Sequence, residues 1–187
     1  MIEVECKLHI DDINAVESKL LELGFTQAGL VDEVDRYFDN EAGQIRGNDS
    51  ALRIRTTKNI MTGEAIAEIN FKGPKLDKVS VTRPEFETCV TDEHIMTEIL
   101  CQLGYKTVTP IVHKLRKSLV KDYITACLDD VEGLGTFLEL EIVVNDDNKK
   151  DAALSEIESI LNKLGYNMSD TTRVSYLSAL QELLISP

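Results

Sequence analysis

Apolar and polar residues alternate along several short segments of the chain. The N-terminal segment MIEVECKLHI has charged residues at positions 3, 5 and 7 and apolar residues at positions 4, 6 and 8. A period of two predicts a β-strand whose two faces differ in polarity. Patterns of this kind predict eight strands, at residues 2–9, 34–39, 51–57, 65–72, 83–90, 112–119, 122–129 and 136–144.

Four other segments repeat apolar residues at helical spacing, which predicts α-helices. These segments are residues 11–24, 91–104, 149–164 and 173–184. Thr91 is placed to cap the second helix, and Gly24, Gly104 and Gly165 are placed to end the first three. The stretch GPKLDKVS, residues 73–80, is predicted to be a mobile loop.

The predicted elements repeat along the chain. The strand segments EVECKL, EFETCV and ELEIVV each contain an E-x-E pair, and each precedes an amphipathic helix that ends at a glycine. Two further strands contain pairs of basic residues, LRIR and KLRKSL. We therefore predict a single domain over residues 1–187, built from two related halves, about 1–78 and 79–187, that share one sheet.

Composition narrows the class of protein. The length of 187 residues is enough for one domain with a substantial core, and 43% apolar with 28% charged residues is ordinary for a soluble globular protein. The net charge of −13 argues against binding to nucleic acid, because there is no basic surplus to neutralise phosphates. We find no apolar run long enough to span a membrane, no signal peptide and no zinc-ligand spacing, and we expect a cytoplasmic protein.

Charged residues alternate with apolar ones on the predicted strands. The acids are Glu3, Glu5, Glu85, Glu87, Asp129, Glu139 and Glu141, and the bases are Lys7, Arg53, Arg55, Lys72, Lys114 and Arg116. One interpretation is the solvated face of a one-sided antiparallel sheet. The other is the lining of a closed eight-stranded barrel that holds one small ligand. Repeated like-charge pairs two residues apart repel each other, which favours a lining with a bound partner.

The residue types indicate what that partner is. Buried charges must be paired or must coordinate a metal. Six cations, three of them arginines, suit a polyanion with phosphate oxygens. Clustered carboxylates suit a divalent cation, and Mg²⁺ is typically held by one or two carboxylates together with substrate phosphates. A metal-bound triphosphate satisfies both sets, and the chain has neither a P-loop nor a dinucleotide-binding fingerprint to supply phosphate binding elsewhere.

The segment EVECK resembles the E-x-E-x-K signature of the CYTH superfamily, the triphosphate tunnel metalloenzymes. The resemblance continues in order through YFD, LRIR, NFKGPK, RPEFE, KLRKSL, CLDDVEGLGTFLELE and TRVSYL. The stretch LDDVEGLGTFLELE is most similar to the class IV adenylyl cyclase branch. The resemblance implies an α+β fold, a closed eight-stranded antiparallel β-barrel (triphosphate tunnel) with flanking helices. It also implies an attack on a triphosphate that depends on Mg²⁺ or Mn²⁺.

The resemblance further implies roles for individual residues. The expected metal ligands are Glu3, Glu5, Glu139 and Glu141, with Asp129 as a ligand or as an orienter of metal-bound water. The expected phosphate-binding residues are Lys7, Arg53, Arg55, Lys72, Lys114 and Arg116. The residues expected to act in catalysis are Lys7, Arg53, Arg116 and Asp129. Glu85 and Glu87 match a central acidic pair whose role varies within the family, and Arg173 and Tyr176 match a terminal motif expected to close one tunnel end.

Three functions are compatible with such a site. A class IV-type cyclase converts ATP to cyclic AMP and pyrophosphate. A triphosphatase hydrolyses thiamine triphosphate, tripolyphosphate or a nucleoside triphosphate, and the presence of both arginines in LRIR leans slightly towards this alternative. A non-catalytic triphosphate binder is the third, and it would not need so many carboxylates. We expect a small-molecule triphosphate as the partner and a monomer or homodimer.

Overall fold

A computed structural model describes residues 2–74 and 84–185, so most of the predicted loop at residues 73–80 lies outside the described residues. The described chain forms one antiparallel sheet of nine strands. The strands are β1 (Ile2–His9), β2 (Thr26–Asn40), β3 (Ala51–Asn59), β4 (Ala65–Lys72), β5 (Glu85–Val90), β6 (Tyr105–Lys121), β7 (Ile124–Val131), β8 (Gly135–Val144) and β9 (Thr171–Thr172). Their order across the sheet is β5-β4-β3-β2-β6-β7-β8-β1-β9.

The prediction of a closed eight-stranded barrel is wrong in two respects: the described strands number nine, and their sheet is open between β5 and β9. The extra strand, β9, pairs with Lys7 and Leu8 and so occupies part of the free edge of β1. Side chains rather than backbone hydrogen bonds cross the remaining gap. The Lys72 Nζ lies 3.7 Å from a carboxylate oxygen of Glu3 on β1 and 3.3 Å from one of Glu85 on β5.

All four predicted helices are present, with small shifts at their ends. The helices are α1 (Ile13–Glu22), α2 (Gln44–Gly47), α3 (Glu93–Gln102), α4 (Lys150–Leu164) and α5 (Tyr176–Ile185). The short α2 was not predicted, because four residues are too few to show a helical period. Asp92, not Thr91, caps α3 by accepting a hydrogen bond from the Ile95 N–H. Gly165 ends α4 as predicted, in a left-handed conformation with a φ of 96°.

Most of the apolar core lies on the outer face of the sheet, under the helices. Even-numbered residues of β1, such as Val4 and Leu8, pack there with Leu138 and Leu140 of β8 and with Ile157 of α4. A second cluster places α3 over β2 and β3.

A third cluster lies on the inner side of the sheet, where Tyr176 of α5 packs on Phe137, a residue on the same face of β8 as Glu139. The odd-numbered residues of β1 are left on the inner face. The two predicted halves of the single domain both contribute strands to this one sheet. That the two halves are related to each other stays a prediction.

Within residues 2–74 and 84–185, no helix is both long enough and apolar enough to cross a membrane.

Candidate functional site

The inner face of the sheet surrounds a cavity of about 1180 Å³. Twelve of the thirteen charged strand residues predicted from the sequence line it, from Glu3 on β1 to Glu87 on β5. The thirteenth, Asp129, lies behind the lining and is fully buried. The charged residues thus share the inner face, opposite the face that α1 and α4 cover, and most of them are shielded from solvent, whereas Glu85 and Glu87 on β5 are exposed.

Strand register brings the predicted residues together. Between β1 and β8, Glu5 lies opposite Glu141 and Lys7 lies opposite Glu139. Between β6 and β7, Arg116 lies opposite Asp129. Directly opposed residues of an antiparallel pair have neighbouring side chains on the same face of the sheet. The antiparallel pairing therefore places an acidic pair and two oppositely charged pairs on the inner face.

Asp129 is the centre of one buried network. Its two carboxylate oxygens accept hydrogen bonds from Arg116 at 2.7 and 2.6 Å. Lys114 Nζ lies 3.3 Å away, and the Tyr176 hydroxyl donates a hydrogen bond of 3.0 Å. Both oxygens are thus engaged by protein donors. This arrangement fits the expectation that Asp129 orients other groups, and its role at a metal stays a prediction.

Two acids of β2, Glu33 and Asp35, were missed by the sequence analysis. Asp35 accepts two hydrogen bonds from Arg55, at 2.6 and 2.8 Å, and one from Arg53 at 3.3 Å. Glu33 lies 3.2 Å from both Arg55 and Lys114. Burial opposes ionisation of Asp35, but the two arginines outweigh it and hold its pKa well below the usual range. The signal for both acids was their alternation with Val34 in DEVDRYFD.

The carboxyl groups of β1 and β8 differ from Asp35 in their electrostatic environment. Burial raises the pKa of Glu5 to about 7, and the charges of Glu139 and Glu3 add to the shift. Burial likewise raises the pKa of Glu141 to about 8, with further increases from its acidic neighbours. Glu139 behaves oppositely, because Arg116 and two lysines outweigh burial and lower its pKa. The Glu5–Glu141 pair is therefore short of positive charge in this structure.

The shortage of positive charge near Glu5 and Glu141 bears on whether a divalent metal fits this site. No group of three or more His, Cys, Asp or Glu residues in the described part of the chain forms a metal site by itself. Magnesium, however, usually takes only one or two carboxylates and completes its shell with phosphate oxygens and water. Glu5 and Glu141 are hard oxygen donors on opposed strand positions, and burial together with nearby carboxylates raises the pKa of each, a cost that a bound cation relieves. Their chemistry fits a metal that arrives with a phosphate ligand.

The first residue of α5 reaches the centre of the site. The Lys7 ammonium lies 4.2 Å from the centre of the Tyr176 ring, and Phe137 packs on that ring with a centroid separation of 5.0 Å. Arg173, just before the helix, also lines the cavity. Farther along α5, Gln181 accepts a hydrogen bond of 2.6 Å from Arg46 and donates one of 2.8 Å to the Thr109 carbonyl. The predicted closure of one tunnel end by this segment stays a prediction.

Asn70 on β4 is a further residue that the sequence analysis missed. It is only 1% exposed, and its amide group donates hydrogen bonds to Glu85 and to Glu87, the latter at 3.1 Å. It lies opposite Arg53 on β3 and opposite Glu87 on β5. Its position two residues before Lys72 places it on the same face of β4, which was a signal for it. The predicted lining, however, contained charged residues only.

Fold and site together define the class: an antiparallel sheet around a cavity whose cations and carboxylates suit a charged small ligand. The CYTH domain family matches residues 1–176 of the chain, and the chain belongs to this family. The family resemblance carried by EVECK and the later motifs is confirmed. Members of the family act on small triphosphate molecules, as adenylate cyclases or triphosphatases.

Several known proteins are similar to this chain over nearly its full length. "Putative adenylate cyclase MJ0240" from Methanocaldococcus jannaschii is 42% identical over 177 residues, which cover 95% of this chain and 97% of that protein. The structure of the PH1819 protein from Pyrococcus horikoshii OT3 matches with a TM-score of 0.86 at 33% identity, covering 97% and 99% of the two chains. The structure of HpAC1 from Hippeastrum, a putative adenylyl cyclase with a dominant triphosphatase activity, matches with a TM-score of 0.67 at 18% identity, covering 97% and 95%.

Proposed function

We propose that the protein is a divalent-metal-dependent enzyme that acts on a triphosphate inside the cavity, as a class IV-type adenylyl cyclase. The observation that carries the proposal is the cavity lining, in which six predicted cations and six predicted acids face one space. Some of these residues form ion pairs with each other, such as Lys7 with Glu139 and Lys72 with Glu85. The similarity to the M. jannaschii relative, whose name is that of an adenylate cyclase, supports the cyclase reaction.

The phosphate chain is proposed to bind along the arginines and lysines of β3 and β6. Arg53 and Arg55 already share the carboxylate of Asp35, and Arg116 and Lys114 share that of Asp129. Each acid fixes the direction of its cations, so that little side-chain freedom is lost when phosphate oxygens arrive. Lys7 and Lys72 complete the set from β1 and β4, and Arg forks match phosphate oxygens in pairs.

Glu5 and Glu141, with Glu3 and Glu139 on either side, are proposed to hold Mg²⁺ or Mn²⁺. A bound divalent cation would polarise phosphoryl oxygens and neutralise charge that develops during the reaction. Glu139 is shared with Arg116 and Lys7, so it connects the acidic pair to the phosphate-binding side. Which of these glutamates are direct ligands is part of the proposal.

In the cyclase reaction the ribose 3′ oxygen forms a bond to the α-phosphorus of ATP. The bond from that phosphorus to the oxygen bridging to the β-phosphate breaks, pyrophosphate leaves, and the hydroxyl proton passes to solvent. The alternative is a triphosphatase, in which water attacks the terminal phosphorus. The bond from that phosphorus to the bridging oxygen breaks, the diphosphate leaves, and inorganic phosphate is the other product. The presence of both Arg53 and Arg55 in the cavity favours this alternative, as does the triphosphatase activity described for HpAC1.

The test is product analysis with ATP, thiamine triphosphate and tripolyphosphate, each with Mg²⁺ and with Mn²⁺. Equal amounts of cyclic AMP and pyrophosphate from ATP are the expected result. Release of inorganic phosphate without cyclic AMP would show that the protein is a triphosphatase and not a cyclase. Binding without any product would leave a non-catalytic binder, and neither binding nor product would overturn the proposal. The cytoplasmic location and the monomeric or homodimeric state stay predictions.

A further inference from the structure

The cavity wall formed by β4 and β5 carries two carboxylates, Glu85 and Glu87, at neighbouring positions on the same face of one strand. Glu85 and Glu87 face the cavity from β5, and Asn70 joins them through its amide group. Lys72 is 3.3 Å from Glu85, so one of the two acids also has a cation beside it. Glu87 accepts a hydrogen bond of 3.1 Å from Asn70 and also lines the cavity. We name Asn70, Glu85 and Glu87 the acidic wall.

Two buried polar atoms beside the acidic wall have no hydrogen-bond partner within the described part of the chain. These atoms are the Asn70 Oδ1, an acceptor, and the Arg53 Nε, a donor. Their residues lie directly opposite each other on β4 and β3, on the cavity side. A buried polar group without a partner is costly, so each such atom indicates a missing ligand or water. A single group that pairs with both atoms has to accept from the Arg53 Nε and donate to the Asn70 Oδ1, as a water molecule or a hydroxyl group can.

A phosphate group does not meet this requirement. Fully ionised phosphate oxygens accept hydrogen bonds and cannot donate to the Asn70 Oδ1 or to the Glu87 carboxylate, and their charge is repelled by Glu87. A hydroxyl group meets it, because one oxygen carries both a donor and acceptor lone pairs. The volume of about 1180 Å³ also leaves space beside a triphosphate for an organic group.

We propose that the acidic wall recognises a hydroxyl-bearing organic group of the substrate and thereby selects a nucleoside triphosphate over inorganic tripolyphosphate. The inference rests on the proposed function, since it requires a triphosphate in this cavity. Glu87 contacts the hydroxyl. Asn70 is a positioning residue that separates the two like-charged carboxylates with its two N–H donors and offers its oxygen to the same group. The selection acts by attraction of the hydroxyl and by repulsion of a bare phosphate.

The experiment is calorimetric binding in EDTA, where metal-dependent turnover does not occur, with ATP, 2′,3′-dideoxy-ATP and tripolyphosphate as probes. Wild-type protein should bind ATP more tightly than dideoxy-ATP. Glu87→Gln should weaken ATP binding by about tenfold, because a neutral amide oxygen accepts a hydrogen bond less strongly than a carboxylate, and it should not weaken dideoxy-ATP binding. Tripolyphosphate should bind as well or more tightly, because a repulsive charge is gone. Asn70→Ala should also reduce the preference for ATP over dideoxy-ATP.

Glu158→Gln is the matched control, because it is the same change at an exposed residue of α4 outside the cavity lining. It should leave all three affinities unchanged. If Glu87→Gln and Asn70→Ala change ATP and dideoxy-ATP binding equally, the inference is wrong even though the cavity binds triphosphates. If Asn70→Ala fails to fold, the Glu87→Gln result decides. Wild-type protein that binds no probe would overturn both this inference and the proposed function.

Discussion

Carboxyl groups in the cavity fall into two groups whose pKa values move in opposite directions. Burial tends to raise all of them, but cations reverse the effect for Asp35 and Glu139. Glu5 and Glu141 keep raised pKa values of about 7 and about 8. Near neutral pH the metal-free cavity therefore holds protons on this pair. A divalent cation displaces such protons when it binds, so its affinity should rise with pH.

Glu141→Gln should flatten the pH dependence of stability of the metal-free protein. The pKa of Glu141 rises from an ordinary 4.5 to about 8 on folding, so the folded state binds more protons between these values. Stability from this group is present below 4.5 and is lost as pH rises through about 8. The amide removes that titration, and it should also remove most metal-dependent turnover.

Urea unfolding in EDTA at about pH 6 and about pH 8.5 measures the difference in stability. Glu158→Gln, an exposed residue of α4, is the control. The free energy of unfolding should decrease with pH more in wild-type and control protein than in Glu141→Gln. An equal decrease in all three proteins would show that Glu141 does not titrate in this range.

Most strands of this fold place apolar side chains on the outer face of the sheet and charged side chains on its inner face. Helices α1 and α4 cover the outer face of β1, β7 and β8, while the inner face of the same strands surrounds the cavity. The stability of the sheet thus depends on the helix contacts, and the chemistry depends on the opposite face. Changes to the outer core should affect folding without a direct contact to the ligand.

Ile157→Ala in α4 should destabilise the protein by about 2–5 kcal/mol, because it removes a fully buried side chain from the outer core. Leu103→Ala, at the end of α3, should cost no more than about 0.5 kcal/mol, because Leu103 is 69% exposed. Urea unfolding of both variants provides the comparison. Similar costs for the two changes would contradict the placement of the core under α4.

Periodicity predicted the existence of most elements but not their full extent. The strand predicted at 34–39 is β2, Thr26–Asn40, and the one predicted at 112–119 is β6, Tyr105–Lys121. Their pairing contains register shifts between Gln27 and Gly29 and between Asp35 and Tyr37. A bulge interrupts alternation, so a period of two is lost there. The two-residue β9 is too short to show any period, and it was missed for that reason.

At the scale of the whole molecule, the cavity joins charges from β1 to β8 that are far apart in sequence. The sequence predicted twelve charged residues of this lining, because each alternates with apolar neighbours on a strand. It did not predict Glu33, Asp35 or Asn70, whose importance comes from partners on adjacent strands. The sequence also did not predict that the sheet of described strands is open. Closure depends on whether the two edge strands pair, and no local pattern in the sequence encodes that pairing.

The most direct test of the central claim is kcat/KM for the triphosphate that product analysis identifies as substrate. Arg53→Ala and Arg116→Ala should each lower it by at least about tenfold, or about 1.4 kcal/mol, if these side chains bind phosphate in the transition state. Lys58→Ala, an exposed residue on the same strand as Arg53, should change it by less than about twofold. Unfolding curves of each variant identify any loss of folded protein. Wild-type turnover in both arginine variants would contradict the claim that the triphosphate reacts in this cavity.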